Sequence, residues 1–142
     1  MKRGELEYAL DEIDDVAEFV YGLLNGTRIV ALTGDLGAGK TSLTQAILRK
    51  AGVQGFIPSP TFTYVLHYTG ADGRRYYHFD LYRLKSVEEF LAAGFADYLN
   101  EPGSYVFIEW PEIIASLLTK NVCFAELSHV TEDKRRLRYE IV

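Results

Sequence analysis

The stretch from Ala31 to Gln45, ALTGDLGAGKTSLTQ, sets three glycines between an apolar lead-in and a helical follow-on, and it constrains the fold more than any other part of the chain. The preceding RIVALT reads as a short apolar strand. From about Lys40 to Lys50 the apolar residues Leu43, Ala46 and Ile47 recur at helical spacing, and Gly52 stops the run. Glycine at 34, 37 and 39 lets the backbone wrap closely enough for successive N–H groups to face one anion. A helix starting near Lys40 adds partial positive charge at the same point. Gly34-Asp35-Leu36-Gly37-Ala38-Gly39-Lys40-Thr41 fits G-x-x-x-x-G-K-[ST], the phosphate-binding P-loop, in its required setting of strand before and helix after. The nucleotide-contacting residues are then Asp35, Leu36, Gly37, Ala38, Gly39, Lys40, Thr41 and Ser42. Lys40 reaches the β- and γ-phosphates, and the Thr41 hydroxyl is placed to ligate Mg2+. A glycine-rich turn with an incidental lysine and threonine is the plain alternative, and the flanking elements weigh against it.

The rest of the chain bounds what can surround that loop. At 142 residues, 48% apolar and 25% charged, it has the size and composition of one domain, 1–142, with a sizeable core. A net charge of −5 argues against holding nucleic acid by bulk charge. A single cysteine, Cys123, makes no internal disulfide or cysteine metal cluster and reads as a small core residue. The opening MKRGELEYALDE lacks the apolar stretch of a signal peptide, and no run has the length to span a bilayer, so a cytoplasmic protein with no membrane partner is expected.

Along the chain, Asp11 is placed to cap a helix carrying Ile13, Val16, Ala17, Val20, Leu23 and Leu24, with Gly26 beyond its end. TFTYVLHYT alternates, with Phe62, Tyr64, Leu66 and Tyr68 on one side, and GADG turns it into RRYYHFDLYR as an antiparallel hairpin. Ser86 and Glu89 form a capping box for a short helix ended by Gly94. YVFIEW is an apolar run suited to the middle of a parallel sheet, and the tail reads as a second hairpin. The expected fold is α/β: a P-loop NTPase-like sheet with helices on both faces, parallel at its core, with antiparallel hairpin strands added.

Three further segments carry candidate chemistry. Glu109, closing YVFIE, is the best candidate for the second metal-holding carboxylate, against an ordinary strand-end glutamate facing solvent. Trp110 beside it reads equally as a rim aromatic or a nucleotide contact. In HFDLYR, period-two spacing puts His78, Asp80 and Tyr82 on one face. Asp80 there can orient an attacking water and Arg83 can offset developing charge, or the segment is a hairpin with a structural His–Asp hydrogen bond. IPSPTF, with prolines at 58 and 60, delivers Ser59 and Thr61 in a constrained loop, either as a switch or as a rigid connector.

GDLGAGKT, SPTF, HFDLYR and IEWPE, in this order and at these distances, resemble the bacterial TsaE (YjeE) family from the first helix to about Leu118. The resemblance implies a small P-loop ATPase that works with TsaD and TsaB in making threonylcarbamoyladenosine on tRNA, using ATP and Mg2+ and leaving ADP. It further implies Thr41 and Glu109 as the metal pair, Asp80 as the residue needed for hydrolysis, and Thr61 as the switch hydroxyl. Lys40 serves both binding and catalysis. The group transfer itself belongs to TsaD, and tRNA is met only within or through the complex. A small-molecule kinase would share the phosphate loop but needs an acceptor pocket and lid, and no long lid insertion is visible. A non-hydrolysing, nucleotide-dependent scaffold is the other alternative. No N-K-x-D stretch is present to read guanine. The basic cluster Lys134, Arg135, Arg136 and Arg138 is read as a solvated hairpin face before a tRNA contact.

Overall fold

The computed structural model describes residues 2–142. In chain order the elements are β1 (Lys2–Ala9), α1 (Ile13–Leu23), β2 (Ile29–Thr33), α2 (Lys40–Lys50), β3 (Val65–Thr69), β4 (Arg75–Asp80), α3 (Val87–Ala92), α4 (Ala96–Leu99), β5 (Tyr105–Glu109), β6 (Val122–Thr131) and β7 (Lys134–Ile141). A 3-10 segment, Pro111–Leu117, follows β5. The strands form one seven-stranded sheet in the order β1-β7-β6-β2-β5-β4-β3. The inner strands β6, β2, β5 and β4 run parallel; β3 pairs antiparallel with β4, β7 antiparallel with β6, and β1 antiparallel with β7. This is the expected α/β architecture.

Strand parity assigns each side chain to a layer. Val30 and Leu32 of β2, Phe107 of β5 and Cys123, Ala125 and Leu127 of β6 face α1 and α2, which supply Val16, Val20, Leu43 and Ile47. The alternate residues Ala31, Val106, Ile108 and Phe79 face the other layer, built from Phe90 of α3, Leu99 of α4 and Ile114. Helices therefore cover both faces, and the parallel strands are buried on both sides, which is why they read as near-continuous apolar runs. α2 spans the Lys40–Lys50 expected from its spacing. At α3, Ser86 Oγ accepts the Glu89 N–H at 3.1 Å, a cap of about 1 kcal/mol. The Glu89 carboxylate reaches back one residue further than a capping box requires, to the Lys85 N–H at 3.2 Å.

Several local expectations are corrected. Asp11 caps nothing: a 3-10 turn, Leu10–Glu12, precedes α1, and the Glu12 carboxylate accepts the Ala9 N–H at 2.7 Å. The first hairpin strand begins only at Val65, because the Pro60 carbonyl takes the N–H groups of both Thr63 and Tyr64 and closes a turn. Tyr64 is left-handed at φ 66°, so it joins Val65 on the α3–α4 side instead of sharing a face with Leu66. Lys2–Ala9, to which the sequence pattern assigns no element, form a strand. β1 alternates Leu6 and Tyr8 inward with Arg3, Glu5 and Glu7 outward, and it pairs with β7 along its whole length. Among the described residues no helix is long and apolar enough to cross a membrane.

Candidate functional site

The sheet topology brings the candidate residues to one edge. β2, β4 and β5 are parallel, so Thr33, Asp80 and Glu109 end together at the carboxyl edge of the sheet, and Asp80 and Glu109 are direct register partners. In an open α/β sheet that edge is where ligands sit. The chain leaves β2 through Gly34, whose φ is 142° and where a Cβ would overlap the Leu127 carbonyl oxygen of β6. The loop closes at Gly39, the residue before α2, with φ 104°. Both positions demand glycine, one for space and both for conformation.

A cleft of about 220 Å³ opens at this edge, lined by Leu36–Ser42, Thr61, Asp80, Glu109 and Trp110. Of the loop candidates only Asp35 is not in its lining, and Asp35 contributes its carbonyl, which accepts from Lys40 Nζ at 3.2 Å and from the Ala38 N–H at 3.0 Å; Ser59, His78, Tyr82 and Arg83 do not line the cleft. The Lys40 ammonium also donates to the Gly34 carbonyl and lies 4.0 Å from the centre of the Trp110 ring. Burial holds the Lys40 amine below the ordinary lysine range; Glu109, Glu112, Asp80 and Asp35 pull it back up.

Two carboxylates sit under the loop in different settings. Glu109 is buried at 3% exposure, and the Thr41 hydroxyl lies 2.8 Å from each of its oxygens. Its Oε2 also meets His78 Nε2 at 2.6 Å. The strand-end glutamate thus faces the loop and not solvent, and His78 bonds Glu109, so the alternative of a structural His78–Asp80 hydrogen bond does not hold. Asp80 instead takes the Thr61 hydroxyl on Oδ2 at 3.1 Å and the Tyr82 N–H on Oδ1 at 3.0 Å. Ser59 Oγ lies 2.8 Å from Thr61 Oγ1, which ties the proline loop to the end of β4.

The bond from Asp80 to the N–H two residues on is an Asx turn, and it ends β4 at Asp80. Tyr82 therefore leaves the face expected from period-two spacing and packs its ring 5.1 Å from Trp110. Arg83 stays outside the cleft with its guanidinium 4.4 Å from the Phe62 ring centre. Trp110 is left-handed at φ 57°. For a bulky residue this costs on the order of 1–3 kcal/mol, and it turns the chain straight into Pro111 with the indole over Lys40.

Among the described residues no three His, Cys, Asp or Glu side chains gather as a metal cage. The donors present suit a hard cation that keeps most of its shell for phosphate and water: one hydroxyl and one carboxylate, both oxygen, side by side. Spacing had singled out His78, but for another partner. What exposes its contact is the register, which seats β4 beside β5 with Asp80 opposite Glu109.

A larger depression, about 570 Å³, lies on the face of β1, β7 and β6 that no helix covers, lined by Arg3, Glu5, Thr33, Phe124, Glu126, Arg138 and Glu140 among others. Part of its charge is paired within the chain. Arg138 pairs with Glu5 at 2.7 Å and Glu126 at 3.8 Å, and Arg136 pairs with Glu7 at 2.7 Å. Arg135 donates to the carbonyls of Thr131, Glu132 and Lys134. The basic cluster is thus largely committed within the chain.

Comparison with known proteins identifies the family and the fold. The family model described as "Threonylcarbamoyl adenosine biosynthesis protein TsaE" matches residues 8–137. The tRNA threonylcarbamoyladenosine biosynthesis protein TsaE of Rickettsia felis is 40% identical over 126 residues, covering 88% of this chain and 72% of that one. The protein of the same name from Haemophilus influenzae is 51% identical over 84 residues, 59% of this chain and 52% of its own. A crystal structure of Bacillus subtilis YdiB superposes with a TM-score of 0.73 at 21% identity, over 97% of this chain and 84% of that one, a likeness of fold. With the model spanning most of the sequence and relatives of the same name across different bacteria, the chain belongs to the TsaE family of tRNA threonylcarbamoyladenosine biosynthesis proteins.

Proposed function

We propose that residues 1–142 form a single ATPase domain that binds and hydrolyses Mg-ATP, and that its nucleotide state resets a TsaD–TsaB complex between rounds of tRNA modification. The observation that carries the reading is the convergence of Lys40, Thr41, Glu109 and Asp80 at one cleft behind a glycine loop. The N–H groups at the start of α2 face the β- and γ-phosphates, and Lys40 moves from the Gly34 and Asp35 carbonyls to the phosphate oxygens. Thr41 and Glu109 are the residues that would hold Mg2+, whose charge when bound offsets that developing on the transferred phosphoryl group. Asp80 accepts a hydrogen bond from the attacking water and orients it, a role worth 10²–10⁴-fold in comparable sites. Thr61, now bonded to Asp80, is placed to exchange that bond for a contact to the γ-phosphate side, which orders the Ser59–Thr61 loop. Trp110 contributes an aromatic wall, and the products are ADP and phosphate.

The test is Mg2+-dependent phosphate release from ATP and from GTP by this protein alone and then with TsaB, TsaD and tRNA. ATP-selective release that the partners alter, and that is lost in Lys40→Ala, is expected. Phosphate transfer to an added acceptor would instead mark a kinase. Tight ATP binding with no release in any mixture would reduce the protein to a nucleotide-dependent scaffold.

A further inference from the structure

We infer that His78 is the positioning residue for Glu109, fixing the orientation of that carboxylate and through it the Mg2+ response of the cleft. The inference rests on the Mg-ATP reading above. His78 is fully buried inside β4, between Leu66 of β3 and Phe107 of β5. A histidine kept only for packing normally satisfies both ring nitrogens. Here Nε2 is 2.6 Å from Glu109 and, among the described residues, Nδ1 has no partner. An unpaired buried polar atom is destabilising, so an apolar residue of similar volume would serve the core better. The imidazole therefore earns its place only through Glu109.

Geometry also defines what it does there. Among the described residues, the Glu109 carboxylate accepts side-chain hydrogen bonds only from Thr41 and His78. Thr41 carries one hydroxyl proton and satisfies one oxygen at a time. With His78 donating to Oε2 from the sheet side, Oε1 is left as the Thr41 acceptor, and the remaining lone pairs turn toward the cleft. The bare Nδ1 fits this arrangement, because the Nε2–H tautomer leaves Nδ1 as a lone-pair acceptor and not as a stranded donor. Without the ring, a carboxylate at the end of β5 keeps a single hydroxyl partner and regains its terminal rotation. Hydrogen bonds to a metal-ligating group of this kind typically govern 10–100-fold in metal affinity or activity.

The experiment compares the natural protein with His78→Leu and His78→Gln, measuring ATP affinity without metal and the Mg2+ concentration that gives half of the metal-dependent gain. In His78→Leu that concentration should rise about 10- to 100-fold with metal-free affinity within about twofold. His78→Gln, whose amide can place an N–H where Nε2 stands, should recover most of the loss. Equal Mg2+ response in the natural protein and His78→Leu, or no difference between Leu and Gln, overturns the inference while leaving the Mg-ATP site intact. A natural protein whose ATP affinity ignores Mg2+ overturns the underlying reading, and this inference with it. Should thermal unfolding show that His78→Leu does not fold, imidazole nitrogen NMR on the natural protein decides. An Nε2–H tautomer without ligand, whose signal moves when Mg2+ is added to the ATP-loaded protein, is expected; an Nδ1–H tautomer or an unmoved signal contradicts it.

Discussion

The cleft at the carboxyl edge and the open face of β1, β7 and β6 carry charge in opposite ways. The open face has the larger cavity, about 570 Å³ against about 220 Å³. Arg138, Glu5 and Glu126 there are exposed and already paired across neighbouring strands, in contacts worth about 0–1 kcal/mol each. The smaller cleft buries Lys40, Asp80 and Glu109 at 3–5% exposure and aims them at a shared space. Volume is therefore a poor guide to function in this molecule. Buried polar groups that converge, on a backbone held in conformations only glycine tolerates, are the better one.

Substitutions should separate the two regions sharply. The largest effect is expected at Asp80: Asp80→Asn should lower phosphate release by about 100-fold or more while ATP affinity stays within about threefold. Loss of binding with turnover of the bound fraction preserved would assign Asp80 to the wrong step. Next, Lys40→Ala should weaken ATP binding about 10- to 100-fold, the scale of a lost charge-assisted contact to phosphate, as read by calorimetric titration. Behind the cleft, Cys123 is buried and its thiol is pushed up to about 11. Above the thiol's usual range the unfolded chain releases this proton while the folded one keeps it. Stability should therefore be intact at neutral pH and fall by roughly 2 kcal/mol between about pH 9 and 11. Denaturant melts of Cys123→Ala should show a shallower alkaline decline, and an identical slope would remove Cys123 as its cause. Smallest of all, Arg138→Ala on the open face should change stability by less than about 1 kcal/mol and leave ATP affinity unaltered. A measurable loss of ATP binding there would break the contrast.

How much of this was legible in sequence follows the range of the interactions. The glycine loop, α2 and the buried run of β5 are local patterns in which glycine spacing, helical period and apolar length are written directly, and α2 and β5 lie where those patterns put them. Glu109 was readable as a strand end, and its orientation toward Thr41 follows from parity with Phe107. β1 escaped notice although KRGELEYA alternates, because its pairing partner β7 lies at the other end of the chain. Tyr64 and Tyr82 were assigned by extending period two past the ends of strands. The Pro60 carbonyl and the Asp80 carboxylate each close a turn there and cancel the alternation. The basic cluster looked free because Glu5 and Glu7, which neutralise it, come more than a hundred residues earlier.

The most direct test of the central claim is a backbone amide NMR map of the natural protein with and without Mg-ATP. The account predicts that the shifted signals fall on residues 37–42, Thr61, Asp80, Glu109 and Trp110, while Arg3, Glu126, Arg138 and Tyr139 stay where they are. Shifts centred on β1 and β7, or none at saturating nucleotide, would contradict it.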